Sequence, residues 1–407
     1  MIKVLFGTWK VGIAMEGSAK GSLTQTALAL AVLLVPSVFG SRPALAQNYI
    51  VVYSFLGSDD SHPLAGLIRD SVGNLYGTAS SGGASSNGAV FKLDTSYTET
   101  VLHSFTGVKD GAVPAAGLIH DLAGNFYGTT QGGGDLACDR FGCGTVFRLN
   151  AAGKYKLLYR FVGGTDGKFP SAGLVRDDLG NLYGTTSQGG PYGYGTVFKL
   201  DPTGTETVLH SFAGGPEGAF PQAGLVLDQA TGNLYGTTNA GANGGGALFE
   251  LDPSGNLTSL YVFNGLDGAN PYASLLRDAA GNLYGTTANG GASGDGTVFE
   301  LDTTGAEIVL HSFTGVADGS NPRAPLIQDA KGTLYGTAVS GGAGGLGVVF
   351  KMDPISGKVK VLHSFAGGTT DGNSPLAGLI PGRDGFLYGT TYLGGAVDEG
   401  TVFRIAP

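Results

Sequence analysis

The chain has 407 residues, of which 74 are glycine and 42% are hydrophobic, and its formal net charge is −9. Glycine is far above its usual share of about 7%, but the glycines recur at fixed positions and the apolar content suits a folded core, which excludes a disordered low-complexity chain. The acidic balance excludes nucleic acid as a partner, because phosphate binding needs clustered Lys and Arg.

The first 46 residues have the pattern of a secretory signal peptide. Lysines precede an apolar run over residues 27–35, and Ala44-Leu45-Ala46 before Gln47 is an A-x-A cleavage sequence. An uncleaved anchor helix is the weaker alternative, because this run is shorter than the roughly 20 residues of a membrane span. We therefore predict cleavage near Ala46, a secreted, periplasmic or cell-surface protein, and no membrane span in residues 47–407.

From residue 48 onward the chain repeats with a period of 49 to 56 residues, about 52 on average. Each repeat has four short runs rich in β-branched and aromatic residues, as in 172–177, 181–186, 195–201 and 206–212. Turn residues separate the runs, which predicts four antiparallel strands per repeat. Seven such repeats predict an all-β fold, a seven-bladed β-propeller. The second run carries a tyrosine in every repeat: Tyr76, Tyr127, Tyr183, Tyr235, Tyr284, Tyr335 and Tyr388.

The two ends of the array indicate that it closes into a ring. The chain stops after a third run at 400–405, and the segment after the signal begins with a fourth run at 48–55. Together they complete one blade, which removes the open edges of a linear array. The predicted domains are the signal peptide, 1–46, and the propeller, 47–407.

The recurring pattern GNLYGTT…GG…GTVFxLD…TVLHSF resembles the Gloeo/Verruco-type (GloVer) tandem-repeat family of exported bacterial proteins. The resemblance covers essentially all of residues 48–407. It implies export and a propeller-like repeat, and it brings no established activity and no catalytic residues.

An acidic residue lies four positions before a proline in every repeat. The loops from each fourth strand to the next first strand would share one face, here called the top face, with the loops between second and third strands. A ring of carboxylates there could hold Ca²⁺ or attract a cationic ligand. The alternative is a turn in which the acid accepts backbone N–H groups, and repetition in every blade favours it. The acids are Asp59, Asp110, Asp166, Glu217, Asp267, Asp318 and Asp371.

Other candidates lie where the copies differ. Cys138 and Cys143 fall in the longest loop after a second strand, and we predict that they form a local disulfide. Four histidines, 103, 210, 311 and 363, share a repeat position with tyrosines 53, 159 and 261, which indicates a half-buried packing position. The remaining top-face candidates for binding are His62, Tyr192, Tyr194, Tyr272, Arg323 and Tyr392.

The sequence contains no serine nucleophile elbow, HExxH motif or phosphate-binding loop. We predict no catalytic residue, no assigned metal site and no cofactor unless the acids hold Ca²⁺. The leading hypothesis is a monomeric, non-catalytic scaffold that binds a protein or polysaccharide through its top face. The alternative is a propeller enzyme, such as a metal-dependent lactonase, lyase or glycan hydrolase, with acids and His62 at the channel mouth. A third is a purely structural surface protein.

Overall fold

The computed structural model describes residues 48–407, except 58–59, 136–137, 139–140 and 242. The predicted signal segment lies outside the described residues, so its cleavage and the boundary at Ala46 stay predictions. The described residues form seven four-stranded antiparallel sheets, which confirms the all-β, seven-bladed propeller. Their one helical segment is a 3-10 turn, Gly215–Glu217, and none of their helices is long and apolar enough to cross a membrane.

Each blade runs from a two-residue first strand at the axis to a long fourth strand at the rim. In blades 1 to 7 the first strands are Ile68–Arg69, Ile119–His120, Val175–Arg176, Val226–Leu227, Leu276–Arg277, Ile327–Gln328 and Ile380–Pro381. The second strands are Leu75–Ala79, Phe126–Thr130, Leu182–Thr186, Leu234–Thr238, Leu283–Thr287, Leu334–Ala338 and Leu387–Thr391. The third strands are Ala89–Leu93, Thr145–Leu149, Thr196–Leu200, Ala247–Leu251, Thr297–Leu301, Val348–Asp353 and Thr401–Ile405. The fourth strands are Glu99–Ser104, Tyr155–Arg160, Glu206–Ser211, Leu257–Val262, Glu307–Ser312, Lys358–Ser364 and Tyr49–Ser54.

The seventh blade is completed by the start of the described chain, as the sequence predicts. Tyr49 pairs with Ile405 and Ser54 with Thr401, with one irregularity in register between Val51 and Tyr53. A further short pair, Gly372–Asn373 with Leu393–Gly394, lies on the top face beside this blade.

The first strands are shorter than the predicted run at 172–177. Only the last part of that run pairs as a strand, and its Ala-Gly part lines the central channel with its counterparts from the other blades. A Cβ placed on Gly66 would lie 3.3 Å from the carbonyl oxygen of Gly378 in the neighbouring blade. The glycines of five blades meet the backbone of a neighbour in this way, which requires small residues there, and the other two blades have Ser274 and Pro325 at this position.

The hydrophobic core divides into seven clusters, one at each interface between neighbouring blades. Between blades 7 and 1, for example, Tyr388 and Val402 pack against Leu75 and Phe91. The Leu of each second strand (Phe126 in blade 2) and the Tyr that follows it thus face opposite neighbours, because successive side chains alternate across a strand. Both faces of every blade are buried.

A phenylalanine of the third strand occupies the space left by the glycine of the second strand. Gly184 pairs with Phe198, and a Cβ on Gly184 would lie 2.7 Å from the ring and 2.9 Å from Leu174. The same ring receives the edge of Phe161 from the preceding blade at 5.1 Å. All seven interfaces have this aromatic pair, with centroids 5.1–5.4 Å apart.

A buried threonine adds a hydrogen bond across each interface. Thr185 donates its hydroxyl proton to the carbonyl oxygen of Ala223 in the next blade at 3.1 Å. Equivalent bonds occur at all seven interfaces, including Thr390 to Ala65, which closes the ring. Each bond contributes to stability because a buried hydroxyl group left without a partner would cost about 1–3 kcal/mol.

We expect Gly184→Ala to destabilise the protein by about 1–3 kcal/mol, since the added methyl group overpacks the site under Phe198. The matched control is Gly164→Ala, where no atom lies within 4 Å of the added methyl group. The control should change stability by less than about 0.5 kcal/mol. Urea denaturation followed by circular dichroism measures both. Equal effects of the two changes would contradict this account of the repeated glycine.

We expect deletion of residues 48–56 to produce an aggregation-prone protein, because the Thr401–Ile405 strand then becomes a free sheet edge. A synthetic peptide of residues 48–56, added in excess, should restore a monomer in size-exclusion chromatography. The same peptide with Phe55→Ala should fail, because Phe55 is fully buried against Phe91. A deletion variant that stays monomeric without peptide would contradict the closure.

Candidate functional site on the top face

The top-face acids are held inside their own blades. The Asp318 carboxylate accepts hydrogen bonds from the backbone N–H and the hydroxyl group of Thr314 at 2.9 and 2.7 Å. Its other oxygen lies 2.8 Å from Nε2 of His311 on the fourth strand. These contacts are those of the turn alternative. Asp59, the seventh predicted acid, lies outside the described residues.

The second partner of each described acid is the histidine or tyrosine that the sequence indicates as a packing residue. The acid and its partner are six to eight residues apart along the chain, a regular spacing that sequence reasoning missed. His103, His210, His311 and His363 contact Asp110, Glu217, Asp318 and Asp371, and Tyr159 and Tyr261 donate to Asp166 and Asp267. The two repeat positions therefore form one unit.

These contacts shape the electrostatics of the loop. Burial raises the pKa of the Asp318 carboxyl, but the hydrogen bonds from Thr314 and His311 lower it more, so its pKa lies below the ordinary value. Burial lowers the pKa of His103 more than Asp110 raises it. Within residues 48–407, apart from the gaps given above, no group of three or more His, Cys, Asp and Glu side chains is placed to hold a metal ion. Ca²⁺ binding stays a prediction.

A second ring, missed from the sequence, consists of the residues that directly precede the top-face prolines. We call these seven residues the display positions; all have a positive φ of 54–60°, which is uncommon for residues other than glycine. Phe169, for example, donates its N–H to Cys143 of the preceding blade and accepts the N–H of Ser187 of its own blade, at 2.9 and 3.1 Å. The display positions are His62, Val113, Phe169, Phe220, Asn270, Asn321 and Ser374.

The backbone of the display positions is constant because it links blades, whereas their side chains differ. The equivalent pair of backbone bonds occurs at all seven positions. Imidazole, aliphatic, aromatic, amide and hydroxyl groups are therefore presented on one repeated frame. Such variation on a fixed backbone is typical of a recognition surface.

His62 forms a small cluster with two residues of blade 7. Its Nδ1 lies 3.2 Å from the Glu399 carboxylate, and its ring centroid lies 4.8 Å from that of Tyr392. The structure thus pairs His62 with Glu399, rather than presenting it as a lone solvated residue. Asp60, which neighbours the predicted Asp59, is 1% exposed.

The other predicted binding residues fall into two further groups. Tyr192 is 60% exposed, and Tyr194 packs edge-on against Phe220 with centroids 5.5 Å apart. At the mouth of the central channel the Arg323 guanidinium lies 4.6 Å from the Tyr272 ring centroid, a cation–π contact. The structure therefore does not bring the predicted residues together at one point; it distributes them around the top face.

The Cys138–Cys143 disulfide is present, which confirms the predicted pairing. Cys143 is fully buried and belongs to the core cluster between blades 2 and 3. Gly163 of the following loop, with φ of 82°, lies directly against the Cys138 sulfur, where a side chain would not fit. The disulfide therefore fastens the long loop of blade 2 onto the interface with blade 3.

Each pair of a top-face acid and its histidine or tyrosine, here called an acid unit, lies beside the fourth strand of the following blade. Whether the facing residue on that strand is acidic depends on whether the unit contains tyrosine or histidine. Glu206 lies beside Asp166 and Tyr159, and Glu307 beside Asp267 and Tyr261. Burial, and then the neighbouring Asp carboxylate, raises the pKa of both glutamates to about 7. Where the unit contains histidine the facing residue is not acidic: Tyr155 stacks on His103 and Tyr49 on His363.

We expect the protein to lose stability as the pH rises from about 5 to about 8. The pKa values of Glu206 and Glu307 are higher in the folded protein than the ordinary 4.5, so ionisation favours the unfolded chain. Their stabilising contribution is complete below about pH 4.5 and is lost through about pH 7. Glu206→Gln with Glu307→Gln should flatten the fall in Tm, measured by calorimetry, because glutamine stays neutral.

The control for that experiment is Asp166→Asn, which removes the neighbouring charge but keeps an acceptor for Tyr159. It should move the fall in Tm to lower pH, because the pKa of Glu206 drops when the Asp166 charge is gone. A pH profile identical in wild type and in the double glutamine variant would contradict the assignment.

Comparison with solved structures gives distant likenesses in fold. Two extracellular domains described as parts of hybrid two-component systems of B. thetaiotaomicron match 88% of this chain, with TM-scores of 0.57 and 0.59 and identities of 11% and 12%. This chain spans only 41% and 39% of their length. A protein described as a 6-phosphogluconolactonase from Bacteroides uniformis has a TM-score of 0.50 at 16% identity, over 80% of this chain and 88% of its own. At these identities the likeness shows the propeller fold alone.

A search among curated proteins finds no match. The sequence profile of the Gloeobacter/Verrucomicrobia repeat matches residues 36–243 and 227–407. These two segments span all seven blades, and the chain belongs to the Gloeobacter/Verrucomicrobia repeat family.

Proposed function

We propose that this protein is an exported, monomeric, non-catalytic scaffold that binds a polysaccharide or protein partner through its top face. The observation that carries the proposal is the ring of display positions. Seven residues share one backbone conformation, yet they carry five different kinds of side chain. A surface with a constant frame and varied side chains suits recognition, because each blade can contribute a different contact to one ligand.

The placement of the acids supports a non-catalytic role. Each described top-face acid is bonded to its own blade, so it stabilises a loop there. A catalytic set would instead direct its acid and base toward one reacting atom. The hydrogen bonds and the spacing by whole blades thus favour a structural role for the acids.

Export is supported by two independent features. The pattern of residues 1–46 is that of a secretory signal peptide. The disulfide between Cys138 and Cys143 fits an oxidising compartment, where such bonds persist.

We expect binding to depend on the exposed tyrosines of the top face. The test probes an array of plant and bacterial polysaccharides and a panel of secreted proteins with residues 47–407. Tyr192→Ala with Tyr194→Ala should weaken binding to a recognised probe by about tenfold or more, because aromatic residues dominate binding energy. The matched control is Leu122→Ala with Leu179→Ala, two exposed residues of the hairpins between first and second strands. Loss of binding in the control alone, or conversion of a probe to products detected by mass spectrometry, would contradict the proposal.

A further inference from the structure

A cavity of about 560 Å³ opens on the top face where blades 1, 2 and 3 meet. Its volume lies within the range of about 300–1,000 Å³ that is usual for small-molecule sites. It is built from loops of all three blades and includes two display positions, Val113 and Phe169. We call it the amide–aromatic cavity, after side chains that line it: Asn87, Val113, Gln131, Phe141, Phe169 and Gln188.

The polar groups of the cavity are neutral amides. None of the described residues that line it is charged. Within the described part of the chain, the side-chain amides of Gln131 and Gln188 make no hydrogen bond, so they can donate to and accept from a ligand. Both glutamines follow a second strand, and no other blade has glutamine in this loop.

The aromatic groups of the cavity are held by the disulfide loop. The carbonyl oxygen of Phe141 accepts the N–H of Gly133 at 2.6 Å, and the carbonyl oxygen of Cys143 accepts the N–H of Phe169 at 2.9 Å. Phe141 is 62% exposed and lies two residues before Cys143. The disulfide loop therefore holds the backbone of both aromatic residues near the interface of blades 2 and 3, which favours binding by keeping the site preorganised.

We propose that the amide–aromatic cavity binds a neutral saccharide. Amide groups match the paired donors and acceptors of sugar hydroxyls, and the negative faces of aromatic rings suit the C–H faces of a sugar. A uronate or a sugar phosphate fits less well, because the described lining residues offer it no cation and the nearby Lys168 ammonium is engaged in a cation–π contact with the Phe169 ring, 5.0 Å from its centroid. A peptide would pair with a free strand edge, whereas this lining consists of loops. The proposal rests on the proposed function, in which the top face is the binding surface, and specifies one ligand class and place.

The test is isothermal titration of residues 47–407 with neutral hexasaccharides of glucose, xylose and mannose, and with a galacturonate hexamer as the charged counterpart. We expect one neutral hexasaccharide to bind at a 1:1 ratio. Its affinity should change by less than about twofold between about 50 and about 500 mM salt, because no charge pair is formed.

Phe169→Asn is the decisive variant, and Leu179→Asn is its control. Phe169 occupies a display position with φ near 60°, and the protein itself has asparagine at the equivalent positions 270 and 321, so the substitution keeps the backbone. Leu179 is an exposed residue of the hairpin between the first and second strands of blade 3 and does not line the cavity. Phe169→Asn should weaken binding by about tenfold or more, and Leu179→Asn should leave it unchanged. Gln188→Ala, and Cys138→Ser with Cys143→Ser, should each weaken binding while the thermal unfolding curve remains cooperative.

Three results would overturn the proposal: no neutral hexasaccharide binds below about 1 mM, the galacturonate hexamer or a pentapeptide library binds more tightly, or Phe169→Asn behaves like Leu179→Asn. If a partner is lost with the Tyr192 and Tyr194 substitutions but not with Phe169→Asn, the cavity proposal fails and the top-face scaffold stands. If binding survives both sets of substitutions, both proposals fail.

Discussion

The whole architecture depends on how one aromatic ring fits between two blades. The third-strand phenylalanine, such as Phe198, lies over the glycine of the adjacent strand and receives the edge of a phenylalanine from the preceding blade. Because a side chain on Gly184 would collide with this ring, the glycine and the aromatic residue cannot vary independently. The contact is repeated at every interface, so the ring of seven blades is one continuous packing arrangement that closes only when Tyr49–Ser54 completes the last sheet. The abundant glycine is therefore a packing requirement and not a sign of disorder.

The fold could be predicted from the sequence because its determinants are periodic. Alternating apolar runs and turn residues recur at a nearly fixed period, and the unmatched runs at 48–55 and 400–405 reveal the closure directly. The length of the first strand was less predictable. The start of each first run, Ala-Gly in five blades, was predicted as strand. In the structure it instead contacts the backbone of the neighbouring blade at the axis, as Gly66 does with Gly378, a constraint that a local pattern does not contain.

The sequence predicted which residues lie on the top face but not which of them contact each other. The acids and the histidine or tyrosine positions both repeat in the sequence. Their contact is seen only in the structure, where the fourth strand lies beside the loop that follows it. The contact of these residues with a glutamate of the next blade was harder to predict, although the sequence contains a regular spacing that indicates it. Where the shared histidine or tyrosine position holds tyrosine, the fourth strand of the next blade starts with glutamate, 46 or 47 residues later: Tyr53 with Glu99, Tyr159 with Glu206, Tyr261 with Glu307. The display positions gave even less signal, because no residue type marks a positive φ shared by histidine, valine and phenylalanine.

The division between constant and variable parts follows from this packing. Positions that pack against a neighbouring blade are constrained by sterics, so the prolines and the buried phenylalanines recur in all seven blades, and the acid and its partner vary only between Asp and Glu and between His and Tyr. The side chains of the display positions and of the loops after the second strands vary from blade to blade, and only blades 2 and 3 have glutamine in those loops. Their glutamines, the disulfide and the rings of Phe141 and Phe169 meet at one cavity. A structural role alone would not require amides, a cross-link and two aromatic rings to coincide where three of the seven blades meet, whereas a ligand site would.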